Sequence, residues 1–183
     1  MIRPKSPIRF YEFFPADGAR EQIALRLEQT ALYRVSLAQK QGTNTICDNS
    51  EITSGAVAAR PTVLIVEPDP GSIELLVQAL EGAEFTVRVC EDGETALSLI
   101  QDTPPGVIIC EAMTPRLNGF TIRERLQANA LWNSIPFILV SHRKSEEMIR
   151  KAVDADIRHY FRKPVSITEV TGLVMNLTRS ATA

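Results

Sequence analysis

The stretch PTVLIVEPDPGSIELLVQALEGAEFTVRV, residues 61–89, contains the pattern that decides the fold. Residues 62–66 form a continuously apolar, β-branched run, as expected of a strand that is buried on both faces. Apolar residues then recur at i, i+3, i+4 and i+7 on one face of a predicted helix: Ile73, Leu76, Val77 and Leu80. A second β-branched run occupies residues 85–89. The stretch therefore predicts a strand, a helix and a second strand.

The same alternation continues toward the end of the chain. Three more strand-like runs occupy residues 107–110, 135–140 and 158–161, with amphipathic segments between them. The last amphipathic segment has the same helical spacing, at Val170, Leu173, Val174 and Leu177. Five strands that alternate with five helices predict an α/β fold, a doubly wound five-stranded parallel sheet with helices on both faces. In such a sheet, the side chains that carry chemistry lie at the C-terminal ends of the strands.

The composition is that of an ordinary globular protein, with 183 residues, 44% hydrophobic and 23% charged. The net charge of −2 leaves no basic excess, so direct nucleic-acid binding is not expected. The three cysteines are widely spaced and include no Cys-x-x-Cys pair, which fits a reducing compartment. No apolar run is long enough for a membrane span, and the first residues lack the apolar centre of a signal peptide. We therefore expect a cytoplasmic protein without membrane association.

The ends of the predicted strands carry motifs in a distinctive order. The first strand ends in VLIVEPDP, and the third strand with its following turn reads VIICEAMTPRLNGF. The fourth strand ends at Ser141, and Tyr160 precedes the Lys163–Pro164 pair by three positions. In this order the motifs resemble the receiver domain of two-component response regulators, the CheY-like family. The resemblance spans residues 61–183 and implies a flavodoxin-like form of the predicted sheet.

The sequence departs from the family pattern at two positions of the phosphorylation site. Glu111 stands where the family has the phosphate-accepting aspartate, and Pro68 replaces the second acidic residue of the opening pair. The resemblance leaves Glu67 and Glu111 as ligands of Mg²⁺, an ion that requires near-octahedral oxygen coordination. Asp69 completes the predicted acidic pocket, but it is expected to point to the opposite face of the strand. The expected Mg²⁺ site is therefore weakened or lost, and no other cofactor is implied.

The residues that respond to phosphate in the family are retained. Lys163 resembles the lysine that pairs with the acyl phosphate, Ser141 the hydroxyl that moves toward it, and Tyr160 the aromatic residue that swings inward. Pro164 implies a cis Lys163–Pro164 bond, because the family uses that turn to aim the lysine. Glu111 is longer than aspartate by one bond, so its carboxylate enters the space of the phosphate and faces Lys163 permanently. Glu111 then either imitates phospho-aspartate or forms a structural ion pair only.

These features predict a pseudo-receiver, a module that acts by protein–protein interaction in a two-component or phosphorelay setting and is not an enzyme. Its expected output surface comprises the fourth helix, the fifth strand and the fifth helix of the receiver. Two alternatives stay open: a receiver that accepts phosphate from a histidine kinase, and a dimerisation or scaffold module with a relic receiver fold. The expected partners are a histidine kinase or a downstream effector, and a second copy of the chain is a further candidate.

The chain before the receiver-like region is predicted to comprise an extension, residues 1–40, and a small and polar linker, residues 41–60. Residues 8–14 have strand character and include four aromatic side chains: Phe10, Tyr11, Phe13 and Phe14. With helical spacing at 19–31 and strand character at 32–37, the extension resembles a truncated strand–helix–strand copy of a receiver; the alternative is a lead-in with one amphipathic helix. Because three elements cannot bury a core alone, we expect packing on the main sheet's edge, on its helices or on a second chain.

Overall fold

The computed structural model describes residues 9–12, 60–143 and 145–181. Within these ranges the chain forms a six-stranded parallel sheet in the order β1-β6-β5-β4-β2-β3. The strands are β1 (Arg9–Glu12), β2 (Thr62–Val66), β3 (Thr86–Cys90), β4 (Val107–Glu111), β5 (Phe137–Ser141) and β6 (His159–Arg162). The helices are α1 (Pro70–Gly82), α2 (Gly93–Asp102), α3 (Gly119–Gln127), α4 (Glu146–Asp154) and α5 (Ile167–Ala181).

Strands β2 to β6 and helices α1 to α5 form the doubly wound α/β fold that the sequence predicts. The central strands β4 and β5 are buried along their whole length, and β2 from its second residue onward, which explains their unbroken apolar runs. One apolar cluster joins the sheet to α2, α3 and α4, and a second joins its other face to α1 and α5. The predicted bounds of β2 match the observed ones, and those of the other four strands differ by one or two residues; for example, β5 begins at Phe137, after Pro136.

The sheet has one strand more than the five predicted. Strand β1 pairs in parallel with β6, from Arg9 opposite His159 to Glu12 opposite Arg162. Of the three docking places that the sequence leaves open for this aromatic stretch, residues 9–12 occupy the edge of the main sheet. They belong to the same compact unit as residues 60–143 and 145–181. The predicted helix at 19–31, the predicted strand at 32–37, the linker up to residue 59 and the part of the truncated receiver copy beyond residue 12 lie outside the described residues.

Side-chain caps fix where the helices begin and therefore shape the loops at the C-terminal edge of the sheet. The side chain at each N-cap accepts a hydrogen bond from a backbone N–H in the first helical turn. The capping residues are Asp69 for α1, Asp92 for α2, Asn118 for α3 and Ser145 for α4. In the described part of the chain, no helix has the length and apolar character that crossing a lipid bilayer would require.

Candidate functional site

The strand ends bring two carboxylates and one ammonium group together at the C-terminal edge of the sheet. Glu67 follows β2, Glu111 ends β4, and Lys163 follows β6. The Lys163 ammonium donates to Glu67 Oε2 at 2.6 Å and lies 2.8 Å from Glu111 Oε2. The Lys163–Glu111 pair expected from the sequence is therefore present. The bond from Lys163 to Glu67 joins residues that are 96 positions apart, so no local sequence pattern predicts it.

The carboxylate–lysine–carboxylate cluster of Glu67, Lys163 and Glu111 is withdrawn from water. Its side chains are only 3%, 6% and 8% exposed, respectively. Burial acts to lower the pKa of Lys163, but hydrogen bonds and charges from Glu111 and Glu67 outweigh it, so the pKa is raised. Lys163 thus stays charged, and with both carboxylates ionised the cluster has a net charge of −1. If Lys163 were removed, Glu67 and Glu111 would be left buried without a compensating cation.

Backbone amides complete the surroundings of the two carboxylates. Glu67 Oε1 accepts from the amide of Asp69 at 3.1 Å, and Glu111 Oε1 accepts from the amide of Met113 at 3.4 Å. One oxygen of Glu67 is therefore hydrogen-bonded to Lys163, one oxygen of Glu111 is ion-paired with it, and the other oxygen of each carboxylate accepts from a backbone N–H two residues further along the chain. This arrangement holds both side chains toward the lysine.

Asp69 does not belong to this buried cluster, which corrects the predicted acidic pocket. It lies beyond the end of β2, and its Oδ2 accepts from the amide of Ser72 at 2.8 Å as the N-cap of α1. Hydrogen bonds from the side chain and the backbone amide of Ser72 are the main reason that the pKa of Asp69 is lowered. Pro68 follows Glu67 where the family has a second acidic residue, and it supplies no side-chain oxygen. The opening pair therefore contributes one carboxylate, Glu67, to the cluster.

The predicted switch residues surround the same edge. Ser141 is buried at the end of β5, its Oγ accepts from the amide of Arg143 at 3.2 Å, and its carbonyl accepts from the amide of Lys163 at 2.8 Å. Tyr160 is 2% exposed, and its hydroxyl donates to the carbonyl of Arg143 at 2.5 Å. Burial raises the pKa of Tyr160. The Lys163–Pro164 bond is cis, as expected. Tyr160 thus occupies an inward position.

Sequence reasoning missed a second contact that braces the loop after β4. Asp92 is buried, caps α2 through the amides of Glu94 and Thr95, and forms an ion pair with Arg116 of that loop. Hydrogen bonds from Thr95 are the main cause of the lowered pKa of Asp92. The succession Asp92-Gly-Glu-Thr95 is an N-cap signal that could have located the cap, but no pattern pointed to the partner Arg116.

The start of α2 and the loop after β4 approach so closely that only glycine fits at position 93. A Cβ on Gly93 would lie 2.7 Å from Leu117 Cβ and closer still to the Leu117 carbonyl oxygen. The Gly93 amide donates to the carbonyl of Pro115, which ties the two backbones together. The loop that follows Glu111 is therefore held in place by α2.

The donor set at this edge does not fit the Mg²⁺ site that the family resemblance implies. Lys163 is hydrogen-bonded to Glu67 and ion-paired with Glu111, Pro68 offers no oxygen, and the side chain of Asp69 caps α1. Mg²⁺ binding needs several oxygens in near-octahedral geometry. Across residues 9–12, 60–143 and 145–181, no group of three or more His, Cys, Asp and Glu side chains is arranged to hold a metal.

Sequence comparison relates the chain to both kinases and regulators. It is 29% identical over 118 residues to the sensor histidine kinase TmoS of Ectopseudomonas mendocina, covering 64% of this chain and 12% of that protein. It is 27% identical over 120 residues to the response regulator MprA of Mycolicibacterium vanbaalenii, covering 66% of this chain and 51% of that protein. The chain therefore matches at most about half of the length of these relatives.

Structure comparison and a family model agree with this relationship. A solved response regulator from Chloroflexus aurantiacus is 28% identical, with a TM-score of 0.61, and the match covers 66% of this chain and 98% of that one. The family model of the response regulator receiver domain matches residues 63–175, which include Glu67, Glu111, Ser141 and Lys163. Since this match spans more than half of the sequence, the chain belongs to the response regulator receiver family.

Proposed function

We propose that this protein is a pseudo-receiver, a signalling module that acts by protein–protein contact in a two-component or phosphorelay setting and is not phosphorylated in the usual way. The observation that carries the proposal is the position of the Lys163 ammonium, bonded to Glu67 and paired with Glu111. One cation already serves both carboxylates that the family uses around its metal and phosphate.

Phosphoryl transfer to this edge would have to disrupt the buried cluster. The reaction needs an in-line donor with its charge neutralised by metal and cationic groups, so positioning accounts for most of the catalysis. Here Lys163 is already paired with two carboxylates, and Pro68 stands where the family has its second acidic residue. Glu111 extends one bond further than aspartate. Displacements near 1 Å are enough to cost about 10²-fold in such a reaction. The site therefore favours a permanent Lys163–Glu111 ion pair over acceptance of a phosphoryl group.

The position of Tyr160 favours a module that is held in one signalling state. In the family, inward movement of this aromatic residue accompanies phosphorylation, and here Tyr160 is buried and bonded to the Arg143 carbonyl. Glu111 supplies a permanent negative charge to Lys163, as an acyl phosphate would, although with fewer oxygens and less charge. We propose that the site holds the output surface formed by α4, β6 and α5 in one state.

The partners that fit this proposal are signalling proteins. Receiver domains interact with histidine kinases and with effectors, and one relative of this chain is itself a sensor histidine kinase. We propose a kinase or a downstream effector as the partner, in the cytoplasm, with no direct contact to nucleic acid or membrane. A second copy of the chain remains a further candidate.

Intact-mass measurement after incubation with acetyl phosphate and Mg²⁺ tests the proposal. The wild-type protein is expected to keep its mass, whereas the Pro68→Asp/Glu111→Asp double variant, which restores the family's acidic residues, should gain one phosphoryl group. A phosphoryl group on the wild type would contradict the proposal and would identify a receiver with an unusual acceptor.

A second measurement separates a signalling surface from a relic scaffold. Once a partner is captured, Lys163→Met and Ser141→Ala should each weaken its binding if the cluster sets the output surface. Unchanged binding by both variants would assign the protein to the scaffold alternative. Circular dichroism of each variant controls for loss of the fold.

A further inference from the structure

The outer edge of β6 is occupied by a strand from a distant part of the same chain. Strand β6 carries Tyr160, leads into Lys163 and lies in the middle of the proposed output surface. Strand β1 runs parallel to it over four residue pairs. The chain between Glu12 and Thr62 is long enough for β1 to leave the sheet without pulling on β2. The remaining five strands still form the complete doubly wound sheet.

In the described part of the chain, β1 pairs with one strand, β6. The Arg9 amide donates to the Arg158 carbonyl at 2.8 Å. The ring of Tyr11 stacks on Phe161, with centroids 4.1 Å apart and planes 7° from parallel, and Tyr11 Oη lies 3.4 Å from His159 Nδ1. The β1–β6 ladder has four residue pairs, like those of β4–β5 and β5–β6, but β1 pairs with a neighbour on one side only, whereas β4, β5 and β6 each pair on both sides. An edge strand that is held from one side can leave without breaking any other ladder, so it can open at a lower free energy than the global fold.

The direction of the backbone hydrogen bonds makes β1 docking observable at single amides. In a parallel strand, alternate N–H groups point to opposite neighbours. The Lys163 amide donates to Ser141 of β5, so the Phe161 amide points to β5 as well. The amides of Tyr160 and Arg162 therefore point to β1. Loss of β1 would expose the amides of Tyr160 and Arg162 and leave the amides of Phe161 and Lys163 protected.

We propose that β1 is a displaceable strand that occupies, in cis, a strand-addition site on the β6 edge. This inference rests on the proposed function, because it concerns the same output surface. A partner would bind by contributing an extended segment parallel to β6, with an aromatic residue in place of Tyr11 over Phe161. The partner would have to displace β1 first, so its apparent affinity depends on how firmly β1 is docked.

Amide hydrogen exchange by NMR on the full-length chain tests the docking. In the wild type, Tyr160 and Arg162 should be protected together with Phe161 and Lys163. Tyr11→Pro removes the ring and an N–H that faces β6, so Tyr160 and Arg162 alone should lose protection. Tyr11→Phe keeps the stacked ring, so the amides of Tyr160 and Arg162 should stay protected in this variant. Equal exchange of Tyr160 and Arg162 in the wild type and in Tyr11→Pro would overturn the proposal.

A peptide of residues 5–16 serves as the probe for the vacated edge. Full-length Tyr11→Pro should bind this peptide at least about ten-fold more tightly than the wild type, because the tethered strand competes at high effective concentration. Equal affinities would contradict a site that is filled in cis. Protection of Tyr160 that falls on dilution would show that the strand comes from a second copy, which also overturns the cis contact.

These outcomes are independent of the phosphorylation experiment. A wild-type chain that accepts phosphate would contradict the pseudo-receiver proposal and would leave the exchange pattern of β6 unaffected. Conversely, a chain that refuses phosphate but shows no protection at Tyr160 would contradict only the strand proposal.

Discussion

Lys163 is the residue on which the charge balance of the site depends. We predict that Lys163→Met destabilises the protein by about 3–5 kcal/mol, because it leaves Glu67 and Glu111 buried and facing each other without a cation. Adding Glu111→Gln to this variant removes one of the two charges and should restore part of the loss. Urea denaturation followed by circular dichroism measures both effects.

The matched control for this prediction is another lysine–glutamate pair. Lys151 pairs with Glu147 at 2.8 Å on the surface of α4, where the lysine side chain is 57% exposed. Lys151→Met should leave the denaturation midpoint essentially unchanged, since exposed pairs contribute little. A Lys163→Met loss no larger than that of the control, or no recovery on adding Glu111→Gln, would contradict the buried cluster as described.

At the scale of elements, α2 and the loop after β4 depend on a glycine between them. We predict that Gly93→Ala destabilises the protein by about 1–3 kcal/mol, because the new methyl group meets the backbone of Leu117 and forces the loop to shift. Gly82→Ala is the control, because nothing lies within 4 Å of its Cβ position near the end of α1. It should be neutral or stabilising. Equal destabilisation by both substitutions would show that the loops do not touch at Gly93.

The elements of the receiver fold were predictable because each has a strong local signal. The unbroken apolar run of β4 follows from burial on both faces, and the spacing of Ile73, Leu76, Val77 and Leu80 follows from one buried helix face. Local pattern also located Glu111 and Lys163 at the ends of their strands. Pattern gave no distances, so it did not show that Lys163 reaches Glu67.

Two other outcomes show where local pattern is ambiguous. Asp69 is followed by Pro70-Gly-Ser72, which is an N-cap signal as well as part of an acidic strand end, and the cap interpretation is the correct one. For residues 9–12, strand character was visible, but the partner was not. Four residues cannot specify parallel pairing with a strand almost 150 positions away, because that pairing depends on the edge that the folded sheet leaves open.

At the scale of the whole molecule, docking of strand β1 covers a titratable side chain of the receiver sheet, His159 of β6. Burial, followed by the charges of Arg9 and Arg158, lowers the pKa of His159 below its ordinary value of about 6.5. Among its neighbours, Tyr11 faces it from β1, and its partner in β5 is the apolar Ile138. With β1 released, His159 is less buried and further from Arg9, so the undocked state binds a proton more readily.

The sign of the pH dependence follows from this difference. Docking of β1 is fully stable at pH values above about 6.5, where His159 is neutral in both states, and weakens as the pH falls below that value. We predict that the ratio of Tyr160 to Phe161 amide exchange, corrected for intrinsic rates, rises between about pH 7.5 and pH 5.5 in the wild type. In His159→Gln the side chain stays neutral, so the ratio should remain constant. A constant ratio in the wild type, or an equal rise in His159→Gln, would show that His159 does not control the docking of β1.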